Sequence, residues 1–395
     1  MRTISPKSEY RQLQLLFFVF AIFIMAWVPR FPEVKANLSL SNGQFGTLIS
    51  TGSIGALASL FFTGHIVHKF GVKIVILANT TLLTISYISI TQTKSPTLFL
   101  FFNIALGWGI SGYHIAVNAQ AFHSMARVSE ITVSRLHGMW ALGALSTAIF
   151  SGLVVGHIGL SLHIGGITIA MAIIVFASVN NLSPVLLKAN EEKEEHMPLR
   201  TLITSFRVDW LVSGGLFCAV FLEFSTGDWS AIFTKERIGV SAGLATLPYI
   251  CFMITMISGR LSANRIIKRF QVHPTVKFLA ITGGTGFLTF LAIAVNIPAE
   301  HKRWALAATC IAFAFGGAGS SLMAPTFYTA GNTRSTLPSA VLVGQMGVVN
   351  NIAVIILKAT VAWTAQFTGS LAIALVIPAV LLLSAAYFAR VLKTD

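Results

Sequence analysis

Apolar residues run along almost the whole chain in about twelve long stretches, which are separated by short polar intervals. Each stretch reaches the length of about 20 residues that an α-helix needs to cross the hydrocarbon core of a bilayer. The stretches are continuously apolar and lack the alternation of outer-membrane β-strands. The pattern therefore predicts an all-α integral membrane protein with twelve transmembrane helices. The predicted helices cover residues 13–36, 44–68, 73–92, 97–125, 136–158, 162–186, 208–233, 241–268, 275–297, 303–329, 338–364 and 369–391.

The two halves of the chain carry related landmarks. A basic turn begins at Gly64 after the second stretch, and a similar one begins at Gly259 after the eighth, 259 − 64 = 195 positions later. The longest polar interval, 188–207, lies between the halves. We predict an N-terminal six-helix bundle over 1–187, a cytoplasmic linker over 188–207 and a C-terminal six-helix bundle over 208–395. Two pseudo-symmetric bundles of this kind are typical of secondary transporters.

Composition supports the membrane prediction and narrows the functional classes. Hydrophobic residues make up 55% of the chain and charged residues 10%, against about 25% charged residues in soluble domains. The formal net charge is +14, but Lys and Arg are concentrated in alternate loops, as the positive-inside rule describes. We therefore predict a multi-pass protein of a bacterial inner (plasma) membrane with both termini in the cytoplasm, and no nucleic-acid partner. The first apolar stretch has no small-residue cleavage site and is interpreted as a retained helix.

Motifs for catalysis or cofactor binding are missing from the sequence. The chain has no metal-ligand spacing of His or Cys, no phosphate-binding loop and no nucleophile–base constellation. A G-x-G-x-x-G run at 107–112 lies inside a predicted membrane helix and is interpreted as a helix-packing motif, with a counterpart at 316–321. We predict that the protein is not an enzyme and binds no metal and no cofactor.

Four ionisable side chains stand out within the predicted membrane helices, where a charge at the bilayer centre costs about 3 kcal/mol or more. They are His114, Glu223, Asp228 and Lys358, and we predict that they take part in proton coupling. One of the two carboxylates could form a buried pair with Lys358, whereas a carboxylate without a partner would take up a proton. Alternatively, Asp228 and Lys358 extend to the outer membrane interface.

Other polar and aromatic residues of the predicted helices are candidates to line a substrate site. Tryptophan stacks on rings but also marks membrane interfaces, and amides also join neighbouring helices. The candidate substrate-binding residues are Trp27, Arg30, Trp108, Asn118, Trp140, Gln345 and Asn351. We assign a gating role to residues of the predicted cytoplasmic loops, namely Gly64, His68, Lys69, Gly71, Arg135, His137, Gly259, Arg260, Asn264 and Arg265.

The two basic turns resemble the G-x-x-x-D-R-x-G-R-[RK] repeat of the major facilitator superfamily. By our alignment His68 occupies the acidic position of the first copy and Asn264 that of the second, so the latch made by those acids would need other groups. Further segments resemble the fucose-permease-like branch and its poorly characterised bacterial relatives. These segments are 27–32 (W-V-P-R-F-P), 38–46, 114–120, 134–143 and 223–230. His114 falls where that branch carries a coupling glutamate.

The resemblance implies a secondary active transporter that moves a small organic solute, sugar-like or another polar metabolite, by alternating access. Proton coupling, as in a symporter, and a monomer in the lipid bilayer are the corresponding expectations. Proton-coupled efflux of drugs or metabolites by an antiporter is the first alternative, since the interior is largely apolar. A sensor of transporter fold that does not transport is the second, because the latch and coupling acids of the resembled families are replaced.

Overall fold

The computed structural model describes residues 6–127, 133–182, 209–335 and 339–393. Within these ranges, twelve helical stretches are long and apolar enough to cross a membrane, and no β-strand is present. The structure therefore confirms the predicted all-α membrane fold with twelve spans. The predicted linker, 188–207, lies outside the described residues.

The α-helices of the first half are α1 (Pro6–Met25), α2 (Phe31–Asn37), α3 (Asn42–Ser50), α4 (Gly52–Phe70), α5 (Val72–Gln92), α6 (Pro96–Arg127), α7 (Val133–Val154) and α8 (Leu160–Ser178). Those of the second half are α9 (Trp210–Phe233), α10 (Leu247–Phe270), α11 (Val272–Asn296), α12 (Lys302–Ser320), α13 (Met323–Arg334), α14 (Ser339–Thr368) and α15 (Leu371–Phe388).

Three of the spans are broken helices. The first runs from α1 through a 3₁₀ turn at Val28–Arg30 into α2. Pro29 and Pro32 sit at the starts of that turn and of α2, where the missing N–H and the fixed φ of proline are tolerated. The second span joins α3 to α4, and the tenth joins α12 to α13.

The contacts divide the chain into two compact units. Unit 1 consists of Met1–Ser39 and Leu48–Met197, and unit 2 of Leu40–Thr47 and Pro198–Asp395. The start of α3 thus belongs to unit 2, a grouping that the order of the chain does not predict. Within unit 2 it is held by an edge-on contact of Phe45 with Trp229 at 6.3 Å and by the Trp363 indole, which donates to Thr47 Oγ1 at 3.1 Å.

Glycines allow helices to approach closely inside each unit. In unit 1, a Cβ at Gly107 of α6 would collide with the carbonyl oxygen of Gly52 on α4. In unit 2, a Cβ at Gly317 of α12 would collide with the carbonyl oxygen of Phe252 on α10. Both glycines belong to the small-residue runs of the sequence, so the helix-packing interpretation of those runs is confirmed.

The turn between α4 and α5 has a structural counterpart between α10 and α11. Gly71 ends α4 with φ 83°, and Gln271 ends α10 with φ 63°. The residue before each turn is a phenylalanine that lies 5.3 Å from the preceding cation, Lys69 beside Phe70 and Arg269 beside Phe270.

This structural register corrects the motif alignment of the two basic turns. Matching Gly71 with Gln271 places Lys268 opposite His68, and it places Asn264 opposite Gly64. The alignment that set Asn264 at the acidic position was wrong because α10 continues further past Gly259 than α4 continues past Gly64.

Candidate functional site

A buried ion pair joins α9 to α14 inside unit 2. The Lys358 ammonium nitrogen lies 3.0 Å from Asp228 Oδ1 and 2.8 Å from Oδ2. The two side chains are only 15% and 10% exposed. Taking both charges out of water is costly, and their close mutual contact offsets that cost. The structure therefore selects Asp228 as the carboxylate that pairs with Lys358.

The charges of Lys358 and Asp228 are stabilised by different numbers of contacts. The Lys358 ammonium also lies 5.9 Å from the centroid of the Phe224 ring, within the range of a cation–π contact. Among the described residues, the Asp228 carboxylate accepts hydrogen bonds from Lys358 alone. The cation therefore has a second source of stabilisation, and the carboxylate has none.

The second carboxylate of α9, Glu223, pairs with Arg260 of α10. Arg260 Nη2 donates to Glu223 Oε2 at 2.9 Å, and Arg260 Nε donates to the Ser321 carbonyl at 3.4 Å. Both side chains of the pair are about one-third exposed, at 30% and 29%. The basic motif led us to group Arg260 with the gating residues, and the structure places its side chain inside α10, paired with Glu223.

The candidate substrate-binding residues of α14, Gln345 and Asn351, have different surroundings. Gln345 is buried, and the half-buried Asn351 donates to the Gly347 carbonyl at 2.9 Å. Among the described residues, no neighbouring heavy atom lies within 4 Å of a Cβ position at Gly347, one turn before Asn351, or at Gly227, which precedes Asp228 on α9.

In unit 1, His114 lies exposed on α6 and stacks against Phe20 with 5.8 Å between ring centroids. Asn118, one turn further on α6, donates to the His114 carbonyl at 2.8 Å. Six residues past His114 on α6, Gln120 binds a carboxylate that sequence reasoning missed. Gln120 Nε2 donates to Oε1 of the buried Glu9 at 2.6 Å. Sequence reasoning overlooked Glu9 because its neighbours in the sequence are polar, whereas its burial results from the packing of α1 on α6.

Arg30, a predicted substrate-binding residue, is buried and fully engaged within unit 1. Its Nε donates to Glu33 Oε2 at 2.7 Å and its Nη2 to the Ile158 carbonyl at 2.8 Å. Its Nη1 lies 3.1 Å from His163 Nδ1. Since a guanidinium can only donate, His163 Nδ1 is the acceptor. This geometry gives Arg30 a structural task in joining α2 to the start of α8.

The three candidate tryptophans lie in different environments of unit 1. Trp27 is buried and makes an edge contact with Tyr87 at 5.5 Å. Trp108 is half-buried and stacks on Phe62 at 6.1 Å. Trp140 lies half-buried on α7. The contact of Trp27 is typical of core packing, which leaves Trp108 and Trp140 as the more accessible aromatic surfaces.

Most residues predicted to gate lie exposed at helix ends. The exposed side chains among them are His68, Lys69, Arg135, His137, Asn264 and Arg265. A Cβ at Gly64 would meet no neighbouring heavy atom within 4 Å, whereas one at Gly259 would collide with the Ser321 side chain. Gly71 supplies the positive φ of its turn. Their roles in gating stay a prediction.

Comparison with known proteins identifies the family. The model of the Major Facilitator Superfamily matches residues 13–357. The chain belongs to this superfamily. As a member of the superfamily, it is a multi-pass membrane transporter of a small solute, and the resemblance inferred from the basic turns is confirmed.

Several curated proteins are similar to the chain. An uncharacterised MFS-type transporter of Yersinia pestis is 25% identical over 391 residues, which cover 97% of this chain and 95% of that protein. The membrane protein MosC of Rhizobium meliloti is 22% identical over 82% of this chain and 76% of its own length. The niacin transporter NiaP of Acinetobacter baylyi is 28% identical over a shorter region, 40% of this chain and 37% of NiaP.

Solved superfamily structures share the fold. The nucleoside transporter NupG superposes with a TM-score of 0.73 at 13% identity, over 98% of this chain and 99% of NupG. A variant of the Escherichia coli fucose:proton symporter FucP superposes with a TM-score of 0.64 at 17% identity, over 98% of both chains. At these identities the likeness establishes the architecture alone.

Proposed function

We propose that this protein is a proton-coupled secondary active transporter that moves a small polar organic solute by alternating access of its two halves. The observation that carries the proposal is the buried Asp228–Lys358 pair between two membrane-spanning helices. When a carboxylate and an ammonium neutralise each other in a low-dielectric region, protonation of the carboxylate leaves the ammonium with an uncompensated charge.

The coupling step follows from the charges of unit 2. Protonation of Asp228 would remove the partner of Lys358, and protonation of Glu223 would remove the partner of Arg260. In each case a cation is released to make a new contact, so proton uptake and solute binding are linked. His114, on α6, is a further candidate to exchange a proton, because an imidazole can both accept and release one at its ring nitrogens.

The similar proteins support a polar solute of small size. One curated relative is named as a niacin transporter, and the two structural neighbours are named as nucleoside and fucose transporters. We extend to this chain only what these solutes share, namely small size and several polar groups. A monomer in the bacterial inner membrane, with both termini in the cytoplasm, belongs to the same proposal.

The test is uptake by proteoliposomes that contain the full chain, with an inward proton gradient and a library of labelled polar metabolites. We expect accumulation that needs the gradient and that is lost in Asp228→Asn, while downhill exchange of the solute persists. Glu223→Gln, assayed in parallel, shows which of the two carboxylates is essential for coupling. Uptake that is independent of the gradient, in a well-folded protein, would refute proton coupling.

A further inference from the structure

The Asp228–Lys358 pair has the properties of a site for a negatively charged solute. We propose that the transported solute is an organic anion, in the simplest case a monocarboxylate, which replaces Asp228 beside the Lys358 ammonium when Asp228 takes up a proton. This inference rests on the proposed function and deepens it, because it names the chemical class of the solute.

The ammonium of Lys358 has more contacts than the carboxylate of Asp228. The Phe224 ring lies 5.9 Å from the Lys358 ammonium, whereas the Asp228 carboxylate has no hydrogen-bond donor besides Lys358 among the described residues. Protonation of Asp228 therefore gives up one contact, while deprotonation of Lys358 would give up two. Lys358 remains charged, and a buried cation without a partner needs an anion.

The net charge of the site is the same with and without a bound monocarboxylate. In the empty site Asp228 contributes −1 and Lys358 +1, so that the pair is neutral. In the loaded site the protonated acid contributes 0, Lys358 +1 and a monocarboxylate −1, which is again neutral. A site that stays neutral in both states avoids the cost of carrying net charge through hydrocarbon. A neutral solute bound with the proton would leave the charge of Lys358 uncompensated.

The two helices that carry the pair also offer open positions and a side-chain amide. Within the part of the chain that the structure describes, a Cβ at Gly227 on α9 or at Gly347 on α14 would have no neighbouring heavy atom within 4 Å. Asn351, between Gly347 and Lys358 along α14, is half-buried, and its amide donates to a carbonyl one turn away. The open position at Gly227 is thus next to Asp228 in sequence, while Gly347 and Asn351 lie about three and two turns from Lys358 along α14, with Asn351 on the same helix face as Lys358.

Other charged groups lie on α9 and on the helices packed against α9 and α14. On α9 the nearest is Glu223, about one and a half turns away, and Arg260 of α10 compensates its charge. The charged residues of α12 and α13 are at the helix ends, Lys302 and Arg303 at one and Arg334 at the other, and α15 has none. Within the described part of unit 2, Lys358 is therefore the cation that loses its partner when Asp228 is neutral.

The binding experiment compares acids with their neutral amides on the purified full chain. Thermal unfolding is measured with nicotinate against nicotinamide, and with glucuronate against glucuronamide, at pH 5.5 and 7.5. We expect stabilisation by at least one of the acids and by neither amide, and stronger binding at the lower pH. Equal effects of acid and amide would overturn the inference.

Variants separate an anion site from a structural ion pair. Lys358→Gln should weaken binding of the acid by about 10- to 100-fold, the range expected for loss of a charge-assisted hydrogen bond. Asp228→Asn, which resembles the protonated acid, should retain binding and lose its dependence on pH. If the pair were merely structural, both single variants would reduce binding alike and the double variant would restore it.

The double variant also keeps the test independent of misfolding. Asp228→Asn combined with Lys358→Gln leaves no unpaired charge, so it should fold while failing to bind the acid. Lys302→Gln removes another lysine of unit 2, an exposed one that donates to the Gly239 carbonyl. As the matched control, it should bind the acid as the native chain does.

Flux distinguishes the inference from the proposed function. In proteoliposomes, with protein-free vesicles to correct for passive diffusion, uptake of the acid should follow the proton gradient and be unchanged when valinomycin and potassium set the membrane potential. Gradient-driven uptake of neutral solutes only would overturn the inference and retain the proposed function. Binding of the acid that depends on Lys358, without flux of any solute, would retain the anion site and overturn transport.

Discussion

Arg260 Nη2 lies 2.9 Å from Glu223 Oε2, so that a single hydrogen-bonded ion pair joins α10 to α9. The Nε of the same guanidinium reaches the Ser321 carbonyl, at the break between α12 and α13. One side chain thus connects three spans of unit 2.

A double-mutant cycle measures this contact. We expect Glu223→Gln and Arg260→Gln to be coupled by about 0.5–1 kcal/mol in thermal unfolding in detergent, since both side chains are about one-third exposed and solvent weakens their attraction. Arg260→Lys should be intermediate, because lysine keeps the charge and loses the fork of donors. Additive effects of the two single variants would show that the pair does not form.

Arg30 is predicted to be essential for folding of unit 1. Its guanidinium is 1% exposed and has three partners, so Arg30→Gln should lower the free energy of unfolding by about 3–5 kcal/mol. Arg30→Lys should also destabilise, since an ammonium cannot reproduce the planar fork. The exposed Arg11 supplies the control, where replacement by glutamine should have little effect. A stable Arg30→Gln protein that only loses transport would restore Arg30 to the substrate site.

The same substitution should have opposite effects at two helical glycines. Gly107→Ala places a methyl group against the Gly52 carbonyl, and separating two packed helices costs about 1–3 kcal/mol. Gly64→Ala meets open space and should be neutral or slightly stabilising, because alanine favours helix over glycine by up to about 1 kcal/mol. The yield and melting temperature of the two proteins provide the comparison, and equal behaviour would contradict the close approach of α4 and α6.

The two turns with positive φ give a reciprocal prediction. Gln271→Gly should stabilise the protein by about 1 kcal/mol, because a Cβ is strained at φ 63° and glycine is not. Gly71→Gln should destabilise by a similar amount, since it introduces the same strain at φ 83°. Thermal melts of both proteins test the structural register of the repeats. Loss of stability in both would mean that Gln271 contributes through its side chain.

The pair of Asp209 and Arg334 predicts an acid-dependent contribution to stability. Burial favours the neutral acid, but the hydrogen bond from Arg334 at 2.9 Å and those from the Val212 and Leu211 amides outweigh it, so that the pKa of Asp209 lies below its ordinary value. The contribution is complete above the ordinary pKa of about 3.9 and is lost as the pH falls through the lowered one.

Comparison of the native chain with Asp209→Asn shows this contribution. Asparagine retains the helix cap and loses the ion pair, so the native chain should be more stable by up to about 1 kcal/mol at pH 6, because both side chains are partly exposed. The difference should disappear toward pH 3. A difference that persists in acid would assign the effect to something other than this carboxylate.

Much of the fold was predictable because each span must by itself be long and apolar enough to cross the membrane. Length and continuous apolarity identified all twelve spans, and the small-residue runs at 107–112 and 316–321 indicated close helix contacts that the structure contains. The register of the duplicated turns was not predictable in the same way. Residues near Gly64 and Gly259 look alike in sequence, but the helix ends at Phe70 and Phe270 define the match.

The candidate site was only partly predictable. The sequence identified Glu223, Asp228 and Lys358 as costly charges within the membrane and left two arrangements open, a buried pair of Lys358 with one carboxylate or extension of Asp228 and Lys358 to the outer interface. It grouped Arg260 with the gating residues without a partner and overlooked Glu9, because a charge next to other polar residues looks solvated until the packing of its helix is known. Arg30 was expected to contact substrate, and its three partners come from segments distant in sequence or across a helix turn.

The sequence by itself determined the membrane setting, the number of spans and the membership of a family of duplicated bundles, because the transfer of each apolar segment into lipid depends on that segment alone. Only the tertiary structure decided which base neutralises which acid. Glu223 and Asp228 lie on one helix, and the rotation and packing of α9, α10 and α14 bring Arg260 to the first and Lys358 to the second. These pairings depend on distances between helices, which no local pattern of residues encodes.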